Sequence, residues 1–404
     1  MRDKQQQDDT STPASMAEDW LFLRNWMIGV RPTEAPPRRQ FDLLFRHHVG
    51  GLAAESELQT ESWKPLKSQK HKQLLFAMSA QSIFHKLAQR CRAEGFKIIP
   101  LKGVSLAKTV FASDPSARQL SDIDLLLQPE NLMKFHAIAL EMGYVQKKKH
   151  MLDPEYQKVK RKAEYKHEAP HMPGLDVHSA FVVKKTLARH AGLDLEKVFD
   201  RTRDITTKEG TCAVLDPVDE WLFLAYHYGL HHQFSGLKWL VDIYQLTLSM
   251  SDEQWTQLLE RAETSGLEKV MLATLQNLEM TFDTLPPFCQ RRPQRKLGFI
   301  TRLWLNDALS IKRQMYRELG HGRNGTIDKV GEYLWEFLFI DQPSQQRRAF
   351  LMMLFPSRAM TTAILGLKNR ALYLLLFPLY PLLGLLLLAS FGVMSIIKAA
   401  TTGD

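Results

Sequence analysis

The sequence predicts an α+β fold in which a small mixed-sheet core lies between two helical segments and precedes an apolar tail. Apolar residues recur at helical spacing before residue 95 and again beyond residue 183. Between these segments, short apolar runs of strand length alternate with turn residues. We predict five segments: 1–17, a disordered N-terminus; 18–95, helical; 96–182, the α+β core; 183–340, helical; and 341–404, a basic and apolar tail.

The amino-acid composition predicts a folded protein, and its net charge favours anionic partners. The 404 residues are 45% hydrophobic and 24% charged, which excludes a disordered protein. The formal net charge of +9 favours nucleotides, nucleic acid or an acidic membrane surface without choosing among them. The three cysteines are far apart and lack metal-ligand spacing, which indicates ordinary thiols in a reducing compartment.

The first part of the predicted core is a strand, a turn and a second strand. A helix containing Phe84 and Leu87 ends at Gly95 and is followed by a strand-length run over 96–101. Residues 102–107 form a turn that leads into a helix, and 122–127 form the next strand. Pro129 then opens a helix that runs to Met142.

The second part of the core is a predicted β-hairpin. We expect strands over 164–172 and 175–181, joined by a tight turn at Pro173 and Gly174. Residues 147–168 are rich in lysine. They form a solvated basic hairpin or contact a triphosphate, nucleic acid or an acidic partner, and the lack of interleaved aromatic residues makes nucleic acid an improbable partner.

Asp122 and Asp124 are the first candidate metal ligands. Side chains two apart in a strand project from one face, about 6 to 7 Å apart along the chain. Two carboxylates beside an apolar strand repel each other and are costly to desolvate, and a divalent cation such as Mg²⁺ removes both costs. A strand edge with two solvated acids is the alternative.

Two neighbouring elements strengthen this interpretation. The Lys102-Gly103 turn, with a helix N-terminus behind it, suits a phosphate, and Lys102 suits a phosphate as a point charge. On a later strand, Asp176 supplies a third carboxylate that could complete a metal site and accept a proton. His178 shares its face and either orients Asp176, contacts substrate or is a satisfied core histidine.

These residues resemble the nucleotidyltransferase superfamily typified by DNA polymerase beta, and within it the bacterial uncharacterised nucleotidyltransferases of family 5. The resemblance covers residues 70–250. The motif elements are Leu101-Lys102-Gly103, Arg118, the 122–127 strand, Asp176-Val177-His178, and a helical segment over 227–242 that contains His231, His232, Trp239 and Asp242.

The resemblance implies a role for each matching residue. Asp122, Asp124 and Asp176 would be catalytic and would hold Mg²⁺ on a nucleoside triphosphate, with Asp176 helping to activate an acceptor hydroxyl. Nucleotide contacts would come from Lys102, Gly103, Ser105, Arg118, Ser121 and His178. Arg118 is otherwise a surface loop residue, and Asp242 either orients the site or pairs with a base such as Lys238.

The uncharged run from Ala371 to Ile397 is long enough to span a hydrocarbon core, although Pro378, Pro381 and Gly384 interrupt it. It is a kinked span, a re-entrant or interfacial anchor, or a soluble helical hairpin. Because basic residues precede the run and no secretory signal begins the chain, we expect the protein at the cytoplasmic face of the inner membrane, with a cytoplasmic location as the alternative.

We therefore expect an enzyme that moves a nucleoside monophosphate from an NTP such as ATP to a hydroxyl acceptor, in envelope polysaccharide or peptide natural-product biosynthesis. Two alternatives remain. One is a catalytically silent membrane-associated scaffold or binding protein, and the other is a metal-dependent nuclease.

Overall fold

The fold is a five-stranded sheet enclosed by helices. The computed structural model describes residues 13–34, 36–53, 58, 61–154, 157, 161–169, 171–181, 192–208, 210–316, 332, 334–355, 369–382, 384–386, 389–390 and 392–393. Within these ranges, no helix is both long and apolar enough to cross a membrane.

Three helices precede the sheet: α1, Pro13–Met27; α2, Arg38–Arg46; and α3, Lys64–Ala93. The prediction of disorder to residue 17 is wrong from Pro13 onward, while residues 1–12 lie outside the described part of the chain. Packing stabilises α1, because Leu23 and Trp26 are fully buried and the Trp26 indole donates a 2.9 Å hydrogen bond to the carbonyl of Val49.

The central sheet has the strand order β1-β2-β5-β4-β3. β2 pairs in parallel with β5, and the other neighbours pair antiparallel. In the parallel pair, Asp124 lies directly opposite Asp176. The strands are β1, Ile99–Pro100; β2, Asp122–Leu126; β3, Tyr144–Gln146; β4, Lys162–His167; and β5, Gly174–His178.

Alternation along β2 and β5 separates the core from the acids. Ile123, Leu125, Leu175 and Val177 belong to one buried apolar cluster with α3 and with α5 (Leu132–Glu141). The residues between them, which include both aspartates, face the opposite side of the sheet. The predicted division of β2 into an acidic face and an apolar face is therefore confirmed.

Several strand bounds differ from the predictions. β1 is much shorter than 96–101, and it ends at Pro100, which cannot donate to a ladder and suits an edge strand. β3 was not predicted. β4 begins and ends earlier than 164–172, and since it ends at His167 and β5 begins at Gly174, the tight turn expected at Pro173 and Gly174 does not join the two strands.

The remaining described residues are mainly helical. The prediction of a helical segment over 183–340 is wrong at two strands, Arg203–Thr207 (β6) and Gly210–Val214 (β7), which form an antiparallel hairpin. The helices are α4, Lys102–Leu106; α6, Leu195–Asp200; α7, Pro217–Tyr226; α8, Leu237–Leu248; α9, Asp252–Ser265; α10, Glu268–Thr281; α11, Phe299–Leu309; α12, Ile311–Tyr316; α13, Pro343–Leu354; and α14, Arg370–Leu376.

The described part of the C-terminal segment is short helical pieces. α14 is followed by a 3₁₀ turn at Phe377–Leu379, so the prolines interrupt the helix as expected. Most of the described leucines in this region are exposed, for example Leu375 and Leu382, whereas Tyr380 is buried.

Candidate active site

A cavity of about 430 Å³ lies between the acidic face of the sheet and the helices α7 and α8. Its polar side is formed by residues of β2, β4, β5 and the beginning of α4. Its opposite side is formed by aromatic and histidine side chains, including Phe223, Tyr226, His227 and Trp239. The cavity therefore joins a charged region suited to phosphates with a largely apolar wall.

Three buried side chains converge at the centre of the charged region. Asp124, Asp176 and His178 each offer one ligand atom, and these atoms lie within 4.8 Å of one another. The Nε2 atom of His178 lies 3.3 Å from Oδ1 of Asp124 and 3.6 Å from Oδ2 of Asp176. The parallel pairing of β2 and β5 positions them, because Asp124 is opposite Asp176 and His178 is two residues further along.

Each of the two central carboxylates also pairs with a lysine. Nζ of Lys102 lies 2.7 Å from Oδ1 of Asp124, and Nζ of Lys162 lies 2.7 Å from Oδ2 of Asp176. Lys102 has a φ of 51°, a left-handed conformation that is uncommon for a residue with a side chain. Such conformations cluster at functional sites, where the surrounding structure holds them.

Electrostatics keep the two central carboxylates ionised. Burial alone would raise their pKa values, but Lys102 and His178 lower the pKa of Asp124, and His178 and Lys162 lower that of Asp176 far below its usual range. The same carboxylates raise the pKa of His178 against the effect of burial. Asp122 differs, because burial and the charge of Asp124 raise its pKa.

Arg118 is a buried member of the cavity wall and not a surface loop residue. Its Nε donates to both carboxylate oxygens of Asp242, at 2.7 and 2.8 Å, and its Nη1 donates to the carbonyl of Gln119. Asp242 is fully buried in α8. This pair holds the arginine between the β1–β2 connection and α8, so the base that Asp242 pairs with is Arg118, and its role in orienting the site stays a prediction.

The apolar wall contains a stacked group of aromatic rings. The His232 and Trp239 rings are stacked with centroids 3.6 Å apart, and Nε2 of His232 lies 3.0 Å from Nε2 of His227. His227 begins a π-helical turn, His227–His231, a geometry found frequently at functional sites. Burial and the nearby Lys102 lower the pKa of His227 well below its usual value, which favours the neutral ring.

The structure brings together all but one of the predicted site residues. Ser105 does not line the cavity, because it is buried in α4 and faces the buried Glu220 of α7. Asp122 lines the cavity and accepts a 2.9 Å hydrogen bond from Ser121 Oγ, but it is outside the three-residue group, so its role as a metal ligand stays a prediction. The other predicted residues that line the cavity are Lys102, Gly103, Arg118, Ser121, Asp124, Asp176 and His178.

Sequence reasoning missed Lys162 and Glu164, which also line the cavity. On β4, Lys162 lies opposite His178 and Glu164 lies opposite Asp176. The tight turn expected at 173–174 gives a different register and places these two residues away from the acids. The alternation of charged and apolar residues over 162–165 was the available signal, but the surrounding lysines suggested a solvated hairpin.

The side chains present suit a divalent cation. Oδ1 of Asp176 and Nδ1 of His178 are buried and accept or donate no hydrogen bond within the described part of the chain. Buried polar atoms without partners are costly, and a metal ion or a ligand would satisfy them. A set of two carboxylates and one imidazole, with cavity space for phosphate oxygens, suits a divalent metal.

Comparison with protein families agrees with this geometry. A family described as "Uncharacterised nucleotidyltransferase" matches residues 37–283, a range that includes all nine predicted site residues. The chain belongs to this family. The protein is therefore a transferase, and its family implies a nucleoside triphosphate substrate. The match ends before α11. No curated protein and no solved structure shows significant similarity to the chain.

Proposed function

We propose that this nucleotidyltransferase moves a nucleoside monophosphate from an NTP, ATP being the first candidate, to a hydroxyl acceptor. The observation that carries the proposal is the cluster of Asp124, Asp176 and His178, which lines a cavity together with two lysines and in which Oδ1 of Asp176 has no hydrogen-bond partner among the described residues. In the reaction, the acceptor hydroxyl oxygen forms a bond to the α-phosphorus and its proton passes to water, while the bond from the α-phosphorus to the oxygen that bridges to the β-phosphorus breaks and pyrophosphate leaves.

The chain's own residues would position the triphosphate and balance its charge. Lys102 and Lys162 reach the centre of the site, where their ammonium groups suit phosphate oxygens. Asp124 and Asp176 would hold Mg²⁺ with His178, and Asp122 would join them when the nucleotide is present. Mg²⁺, when bound, neutralises phosphate charge and polarises the reacting phosphoryl group.

The depressed pKa of Asp176 favours one of its two expected roles. A carboxylate that ionises this readily is a ready cation ligand and a weak proton acceptor. The pair that Asp176 forms with Lys162 at 2.7 Å also favours its ionised form, which suits the role of cation ligand. The acceptor would enter beside the aromatic wall, where Phe223, Tyr226 and Trp239 offer surface for a sugar ring or another partly apolar group.

The test is label transfer from α-labelled NTPs in the presence of Mg²⁺, with and without host extract. We expect a labelled product with the wild-type chain and none with Asp124→Ala or Asp122→Ala. Glu130→Gln is the matched control, because Glu130 is an exposed acid just beyond the other end of the same strand. Triphosphate binding without transfer would indicate a silent binding protein, and cleaved nucleic acid without pyrophosphate would indicate a nuclease.

We also propose that the C-terminal residues hold the protein at the cytoplasmic face of the inner membrane. Exposed leucines from α14 to residue 386 form an apolar surface, and α13 carries Arg347 and Arg348 beside the exposed Leu351. Apolar side chains with nearby basic residues suit an interfacial anchor on an anionic leaflet.

Flotation with vesicles that contain anionic lipid tests this anchor in the full-length chain. Leu375→Glu combined with Leu382→Glu should release the protein from the vesicles. Leu75→Glu combined with Met78→Glu is the matched control, because both residues are equally exposed apolar side chains on α3. Equal flotation of all three proteins would contradict the anchor.

A further inference from the structure

The two lysines in the site contact the same carboxylates that would bind a cation. Lys102 pairs with Asp124 and Lys162 pairs with Asp176, both at 2.7 Å, and the side chains of the lysines are 13% and 27% exposed. Ion pairs this enclosed are screened weakly by solvent. Each ammonium group therefore contacts a carboxylate oxygen that a cation would otherwise bind.

Both lysines lie at backbone positions that direct them toward the carboxylates. Lys102 lies at the start of α4, where a left-handed φ and the preceding strand aim it at β2. Lys162 is opposite His178 in the β4–β5 ladder, and Glu164 Oε1 lies 3.2 Å from its Nζ.

The charges explain why two lysines are useful here. Asp122, Asp124 and Asp176 carry up to three negative charges, and the lysines offset two of them. A divalent cation that enters alone meets both ammonium groups and competes with them for oxygen ligands. A cation that enters with a triphosphate supplies oxygens to which the ammonium groups can move.

We propose that Lys102 and Lys162 couple the two ligands, opposing a divalent cation that arrives alone and favouring the same cation when it arrives with a triphosphate. In this arrangement, the ammonium groups leave the carboxylates and contact phosphate oxygens. The inference rests on the proposed nucleotidyl transfer and adds that the binding of the metal is coupled to the binding of the nucleotide. Metal and nucleotide bind as one unit, and by reciprocity each increases the affinity for the other.

The experiment measures Mn²⁺ binding to the full chain by the electron paramagnetic resonance signal of free Mn²⁺, which requires no turnover. The wild-type protein is titrated with and without an ATP analogue that carries a methylene group between its α and β phosphorus atoms. We expect the analogue to raise the Mn²⁺ affinity at least about tenfold, a typical size for coupling between two sites.

Lys162→Met is the main variant, because it keeps the stem and removes the charge. It should bind Mn²⁺ alone about tenfold more tightly than wild type and respond less to the analogue. Lys102→Met, on a different element, should change both values in the same direction. Lys147→Met is the matched control: Lys147 lies 3.4 Å from the same Glu164 and is half exposed, and the variant should match wild type.

The outcomes separate this inference from the proposed function. If the wild-type protein binds the analogue with Mn²⁺ but Lys162→Met and Lys102→Met bind Mn²⁺ alone no more tightly, the coupling is wrong and nucleotidyl transfer stands. If the wild-type protein binds no analogue at any Mn²⁺ concentration, both fail. Thermal unfolding of each variant identifies any that is unfolded, and the other lysine variant then decides.

Discussion

Glu220 offers a direct test of how burial controls ionisation next to the site. This residue of α7 is fully buried, and neither carboxylate oxygen accepts a hydrogen bond of normal geometry within the described part of the chain. Burial raises its pKa from 4.5 to about 7, and the Ser105 hydroxyl and Arg203 only partly counteract this. Between pH 4.5 and pH 7 the folded protein therefore keeps a proton that the unfolded chain has already lost.

The sign and size of the effect follow from this difference. Between pH 4.5 and pH 7 the folded state binds more protons than the unfolded state, so stability falls as pH rises and becomes constant above pH 7. With one pKa unit equal to about 1.4 kcal/mol, the loss between pH 5 and pH 8 is about 2 kcal/mol. Glu220→Gln cannot ionise and should not show this loss.

Urea unfolding of the wild-type protein and Glu220→Gln at pH 5, 6, 7 and 8 measures the difference. We expect the variant to gain about 2 kcal/mol on wild type between the two extremes. Glu263→Gln, an exposed acid on α9, is the control and should differ from wild type by the same small amount at every pH. A difference for Glu220→Gln that does not change with pH would refute an ionisable buried carboxyl.

Three further predictions concern stability, each measured by chemical denaturation. Asp242→Ala should cost about 3 to 5 kcal/mol because it leaves Arg118 buried and unpaired, and Arg118→Met with Asp242→Leu should recover most of that; a double variant as unstable as the single one would contradict this. Gly51→Ala should cost about 1 to 3 kcal/mol because its Cβ would meet the carbonyl oxygen of Ser116, and a neutral result would show that this loop shifts. Phe84→Ala should cost about 3 to 5 kcal/mol because the ring is fully buried, and a loss below 1 kcal/mol would show that the core closes around the space.

The strands that carry the acids could be predicted because their pattern is local. Alternation in β2 separates Asp124 from Ile123, and the same alternation in β5 separates Asp176 from Val177. A period of two residues fixes which side chains share a face without any knowledge of the fold. This is why Asp122, Asp124, Asp176 and His178 do line one cavity.

Features that depend on distant pairing could not be predicted in the same way. The register of β4 against β5 decides that Lys162 reaches Asp176, whereas the sequence at Pro173 and Gly174 predicts a tight turn with a different register. The partner of Arg118 is 124 residues away in α8, which no local pattern indicates. The β6–β7 hairpin was missed because both strands are only five residues long and neither shows a sustained alternation of apolar and polar residues.

Because Asp124 lies directly opposite Asp176, the register between β2 and β5 determines whether both carboxylates reach the cleft. A slip of one residue between β2 and β5 would bring Leu175 or Val177 beside Asp124 and turn Asp176 toward the apolar core. Such a chain could still be compact and helical, yet it would have lost one carboxylate from the cleft. A Mn²⁺ titration of refolded protein would thus count the fraction of molecules whose two central strands are in register, which circular dichroism does not distinguish.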